Sequence, residues 1–160
     1  MKRHSALIPL SREHHDGLVQ AVRLRRAAAD GDASARLAAA REFVEFFGYE
    51  ERVHLRDEEE ELFPLFLRYV RSQPAPLREA RVQHVQLEGF ARKLRIAVAG
   101  GIVDRETLEA AGELLEAHIR LEERQLFPLI EELVPNDELR RLRLASRDVT
   151  CAVPRPPVTS

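Results

Sequence analysis

The twelve residues "HLRDEEEELFPL" starting at His54 are written again sixty-four positions later as "HIRLEERQLFPL", starting at His118. Eight of the twelve are identical and in register. A duplicated segment is a strong constraint, because one local structure must form twice and the two copies must then pack together. The copying reaches further upstream: "AVRLRRAAADG" (21–31) aligns with "ARKLRIAVAGG" (91–101), and at that offset of seventy His14 falls on His84. The chain therefore divides into two similar halves.

Each half has the punctuation of a helical hairpin, and strand signals are nearly absent. Ser11 is placed to cap a first helix running to Ala29, which "DGD" breaks. A second helix restarts at "DAS" and runs through "EEEELF", with Gly48 as its weak point. Pro64 is expected to kink or end it, because proline cannot donate to the carbonyl of Glu60. A third helix spans Leu77 to Ala99 and stops at Gly100 and Gly101. Asp104 caps a fourth that runs to about Val134, and a short fifth covers 138–146. The expectation is an all-α, up-down four-helix bundle with a short C-terminal helix and an irregular tail. Residues 1–148 would form one domain and the proline-rich 149–160 a flexible tail.

Composition narrows the partners. A chain of 160 residues, 44% apolar and 32% charged, can fill a core without staples. A net charge of -2 provides no general pull toward nucleic acid or an acidic membrane surface. The single cysteine, Cys151, rules out an intrachain disulfide, which suits a reducing compartment. No apolar run is long enough for a signal peptide or a membrane span, so a cytoplasmic protein is expected.

The apolar seams carry the chemistry. On the third helix Leu77, Ala80, His84, Leu87, Ala91 and Leu94 follow steps of three and four, which puts His84 inside. The fourth gives Leu108, Ala111, Leu115, His118, Glu122 and Leu126; the second gives Phe43, Phe47, His54, Glu58 and Leu62. In both, a His and a Glu one turn apart interrupt the stripe, close enough to reach one bound atom. On the first helix Leu7, Leu10, His14, Gly17, Ala21 and Leu24 place His14 inside, while the more polar neighbouring seam carries His15. The first-helix candidate is therefore His14 or His15. The acidic run 57–61 reads as a solvated face apart from Glu58, and Phe63 and Phe127 read as core.

An inward His or an HxxxE pair alone is most often structural. Six such groups inside one bundle without an ion would cost on the order of 10 kcal/mol, comparable with the stability of a whole domain. Metal coordination removes that difficulty. Imidazoles and carboxylates without thiolate suit iron, with zinc or manganese as alternatives. Six ligands on a pseudo-symmetric bundle suggest two ions, each taking two histidines, with Glu58 and Glu122 bridging and positions left for a bridging oxygen. The ferritin-like pattern spaces Glu and His by three and does not fit.

"REHH", "HLRDEEEELFP", "RVQH" and "HIRLEERQLFP" together resemble the hemerythrin-like (HHE cation-binding) family over about residues 5–135. The resemblance implies an oxo- or hydroxo-bridged di-iron centre held by His14 (or His15), His54, Glu58, His84, His118 and Glu122. It also implies a small diatomic ligand such as dioxygen or nitric oxide, and a binding or sensing role. A di-iron oxidoreductase acting on peroxide or nitric oxide is the alternative, and a metal-stabilised interaction module a third. Whether the chain forms a homo-oligomer is left open. The oxygen carriers of the family place a second His one turn after the third-helix ligand. Here Glu88 stands there, which weakens a simple carrier and points to sensing or redox reactivity.

Overall fold

The computed structural model describes residues 3–145. Four long helices form a ring: α1 (Ile8–Asp30), α2 (33–67), α3 (Ala75–Gly100) and α4 (105–133), followed by a short α5 (Asn136–Arg140). Each long helix packs on its two neighbours, α1 on α2 and α4, α3 on α2 and α4. This is the up-down bundle, with no strand among the described residues. Nor is any helix among them long and apolar enough to cross a membrane.

Local chemistry sets the helix ends. Asp32 accepts from the Ala35 amide at 2.8 Å and Asp104 from the Thr107 amide at 2.7 Å, so α2 and α4 start on side-chain caps. Gly101 (φ 73°) closes α3 in the left-handed conformation that glycine adopts without strain. Ser11, by contrast, is not a cap. α1 begins at Ile8 with Pro9 in its first turn, where a missing N–H is harmless, and the Ser11 amide donates to the Leu7 carbonyl from inside the helix.

Pro64 does not end α2 either. The turn before it, Glu58–Leu62, widens into a π-turn in which the Phe63 amide donates to the Glu58 carbonyl five residues back. That relieves the clash a proline ring makes in an α-helix, and α2 continues to Leu67. The second copy repeats the device: Glu122–Leu126 is a π-turn, the Phe127 amide reaches Glu122, and α4 continues past Pro128 to Leu133. A further π-turn at Phe47–Glu51 contains Gly48 and has no counterpart in α4. The fifth helix starts earlier and is shorter than the expected 138–146; Ser146, the 149–160 tail and Cys151 lie outside the described residues.

The apolar interior falls into two clusters. One gathers Leu7, Leu10, Leu62, Phe63, Leu77, Leu126 and Phe127; the other gathers Leu24, Phe43, Leu87, Leu94, Leu108 and Leu115. Every long helix runs through both, and each carries its inward histidine between them. The result is a polar layer sealed above and below by hydrocarbon. α1 and α4 come together closely where Gly112 leaves room: a Cβ there would lie 2.9 Å from the Ala21 carbonyl oxygen.

Candidate metal centre

The polar layer consists of His14, His54, Glu58, His84, His118 and Glu122, all buried, with Glu58, His118 and Glu122 fully so. On α1 it is His14 that points inward, and His15 is exposed. The six donors form two overlapping sets, His14–His54–Glu58–Glu122 and Glu58–His84–His118–Glu122, whose ligand atoms lie within 4.8 Å of one another. Both carboxylates belong to both sets, which is the geometry of a binuclear site with two shared acids. The Nε2 atoms of His14 and His54 are 3.1 Å apart. That is close enough for one ion to be held by both rings.

Each ring is fixed from outside through its other nitrogen. Nδ1 of His14 faces Glu123 Oε1 at 2.7 Å, Nδ1 of His54 faces Glu13 Oε2 at 2.8 Å, and Nδ1 of His84 faces Glu59 Oε1 at 2.9 Å. Nδ1 of His118 faces Gln83 Oε1 at 3.2 Å. In every case Nδ1–H donates outward and Nε2 points into the layer, the arrangement that raises an imidazole's basicity toward a metal.

The repeated Leu-Phe-Pro now has a role. Phe127 stacks on the His14 ring (5.3 Å between centroids, 18° between planes), and Phe63 stacks on the His84 ring (5.7 Å, 12°). Arg3 lies over Phe127 and pairs with Glu123 at 2.6 Å; Arg81 lies over Phe63 and pairs with Glu59 at 3.0 Å. Each hairpin thus contributes a Glu and a Phe that hold the other hairpin's histidine.

Whether these residues fit metal ions can be tested on their lone pairs. Both oxygens of Glu58, both of Glu122, and Nε2 of His84 and His118 are buried without a well-formed hydrogen bond and face only one another, with His14 Nε2 3.0 Å from Glu122 Oε2 and His84 Nε2 3.3 Å from Glu58 Oε2. Six orphaned acceptors in one sealed layer are far more than a native interior tolerates. Cations placed between them would satisfy all six.

Without ions, protons must do part of that work. Burial pushes His14 down, but Glu122 and Glu123 outweigh it and hold the ring at about 9. His84 is likewise pushed down by burial and lifted by Glu122, Glu58 and Glu59 to about 11. His118, which has no outer carboxylate, is driven by burial down to about 4.

Several supporting residues escape the seam pattern. Glu59 belongs to the acidic run 57–61 expected to be a solvated face, yet it holds His84, and the buried Asp57 accepts from the Ala145 amide. The available signal is adjacency: Glu13, Gln83, Glu59 and Glu123 each sit next to an inward donor in the sequence. Glu51 is also buried, at the end of the unpaired π-turn, where the second copy has Leu115. Burial holds its carboxyl above the usual range, while His54 and His14 pull it the other way. Glu88 is exposed and belongs to neither donor set. It lines a surface depression of about 320 Å³ together with Phe47, Glu59 and His84.

Residues 6–130 match the family model described as Hemerythrin HHE cation binding domain. No curated protein and no solved structure matches the chain.

Proposed function

The chain belongs to the hemerythrin HHE cation-binding domain family, and from that premise and its two donor sets we propose a non-haem di-iron protein that binds or senses dioxygen or nitric oxide. The two clustered His/Glu sets are arranged as a di-metal site. The observation that carries the reading is the set of orphaned lone pairs on Glu58, Glu122, His84 and His118. His14, His54, Glu58, His84, His118 and Glu122 would hold the ions. Iron is favoured over soft metals by a donor set of imidazole and carboxylate without thiolate.

When bound, an iron pair supplies reversible one-electron chemistry and open positions for a diatomic ligand. The protein's share is the rest. Glu58 and Glu122 spread negative charge over both positions, the outer acceptors fix each ring with Nε2 facing the ions, and the two apolar clusters exclude bulk water. Two histidines for each ion leave the pair more open than a site crowded by an extra imidazole, and this supports sensing or reactivity over simple carriage.

One observation favours the second reading, an oxidoreductase acting on peroxide or nitric oxide. Glu51 is a buried carboxyl on the His14–His54 side and can retain a proton for delivery there. Metal quantitation and absorption spectra of reduced protein exposed to oxygen test the proposal. About two irons per chain with a reversible visible band supports binding or sensing. Irreversible oxidation with peroxide turnover, lost in Glu51→Gln, supports the enzyme. Zinc alone in protein made with iron available, and no band, overturns both.

A further inference from the structure

The two donor sets look equivalent from inside the layer but differ from outside it. Around His14 and His84 the surroundings match, since each has a carboxylate (Glu123, Glu59) that is itself paired with an arginine (Arg3, Arg81). Around His54 and His118 they do not. His54 donates to Glu13, a carboxylate that has no arginine or lysine paired to it among the described residues. His118 donates to Gln83, a neutral amide. The amide cannot swap its ends, because Gln83 Nε2 is committed to Glu79 Oε1 at 3.3 Å, which leaves Oε1 for the His118 ring. Glu13 and Gln83 occupy equivalent positions, one residue before His14 and His84. The duplication has therefore been broken at the one pair of outer contacts whose charge is not cancelled nearby. Glu51 against Leu115 breaks it again on the same side.

We infer that the two metal positions are unequal, and that the His14–His54 position takes its ion first because Glu13 places a full negative charge behind His54 where Gln83 offers His118 only a dipole. The inference rests on the binuclear reading of the site. A carboxylate behind an imidazole strengthens its bond to a cation; changing such a partner shifts metal affinity about 10- to 100-fold. Glu13 is partly exposed and screened by water, which puts the expected preference nearer tenfold.

The shared carboxylates separate two binding steps even in a symmetric site, since two cations repel. The deciding quantity is which histidines are occupied at one equivalent. Metal-free full-length protein labelled with ¹⁵N-histidine is titrated with zinc, a redox-inert and diamagnetic probe, and the ring nitrogens are followed by NMR. At one equivalent the His14 and His54 signals should shift with roughly tenfold preference over those of His84 and His118. Glu13→Gln should bring the preference close to one to one, and the Glu13→Gln, Gln83→Glu double variant should reverse it. Both changes are near-isosteric, at a partly exposed Glu13 and a buried Gln83, so a merely structural role would weaken both positions together and leave the ratio unmoved. Equal filling in the parent protein, or a ratio unchanged in Glu13→Gln, overturns the inference and leaves the binuclear reading standing. Saturation at fewer than two ions per chain overturns both.

Discussion

The Nε2 atoms of His14 and His54, forty residues apart in sequence, face each other across 3.1 Å in a layer sealed from water. At that distance the two nitrogens can share one proton or one metal ion, but cannot both carry a proton. Loading the site therefore means displacing protons.

Binding of metal at pH 7 is expected to release protons, because His14, held at about 9, and His84, held at about 11, must both give them up. Affinity should rise about tenfold per pH unit for each proton displaced. Adding zinc to metal-free protein in weak buffer with a pH indicator measures the release. A solution that stays neutral would show that His14 and His84 carry no extra proton in the metal-free protein.

The metal-free protein should be most stable near pH 6.5. His14 is raised from 6.5 to about 9, so its contribution is complete below pH 6.5 and is lost as pH rises through 9. His118 is lowered to about 4, so its contribution is complete above pH 6.5 and is lost as pH falls through 4. Thermal melts in chelator from pH 4 to 10 should trace a dome. A monotonic curve would contradict either the carboxylate pairing assigned to His14 or the burial assigned to His118.

Phe63→Ala and Phe127→Ala should each cost about 3–5 kcal/mol, the range for a buried phenylalanine, and should do so to a similar extent. Each change removes the stack on the opposite hairpin's histidine along with core volume. Metal content should therefore fall with melting temperature in both variants. Full metal in either one would reduce the stacking to ordinary packing.

Two glycines on the α1–α4 contact should respond differently to alanine. A Cβ on Gly112 would lie 2.9 Å from the Ala21 carbonyl oxygen, which belongs to a helix backbone and cannot step aside. Gly112→Ala should cost about 1–3 kcal/mol from overpacking. A Cβ on Gly17 meets the tip of Ile119 at 2.8 Å, a side chain that can rotate. Gly17→Ala should be close to neutral, the roughly 1 kcal/mol gained in helix propensity offsetting the adjustment. Urea denaturation of both variants gives the comparison directly.

What could be read from the sequence was whatever repeats at helical spacing. The four seams located the bundle and the inward histidines, and periodicity preferred His14 to His15, as the burial of the two side chains has it. Helix ends were legible where a side chain makes the cap, as at Asp104, and not where backbone does, as at Leu7. The continuation of α2 past Pro64 was not legible because a π-turn is a cooperative adjustment of the backbone. The outer acceptors stayed hidden for a related reason. Glu59 and Glu123 are charged, partly exposed residues on helix faces, and nothing in their spacing distinguishes them from solvated neighbours until a ring from the other hairpin is placed beside them.

The reciprocal hold of Phe127 and Glu123 on His14, and of Phe63 and Glu59 on His84, means that neither hairpin is complete alone. Cut anywhere in the 68–74 connection, each fragment would keep its own imidazoles but lose the clamp that aims one of them. The halves would have to find each other, or twin halves from a second molecule, before any ion could be gripped. The chain is in this sense a handshake between two partners that happen to share a covalent thread.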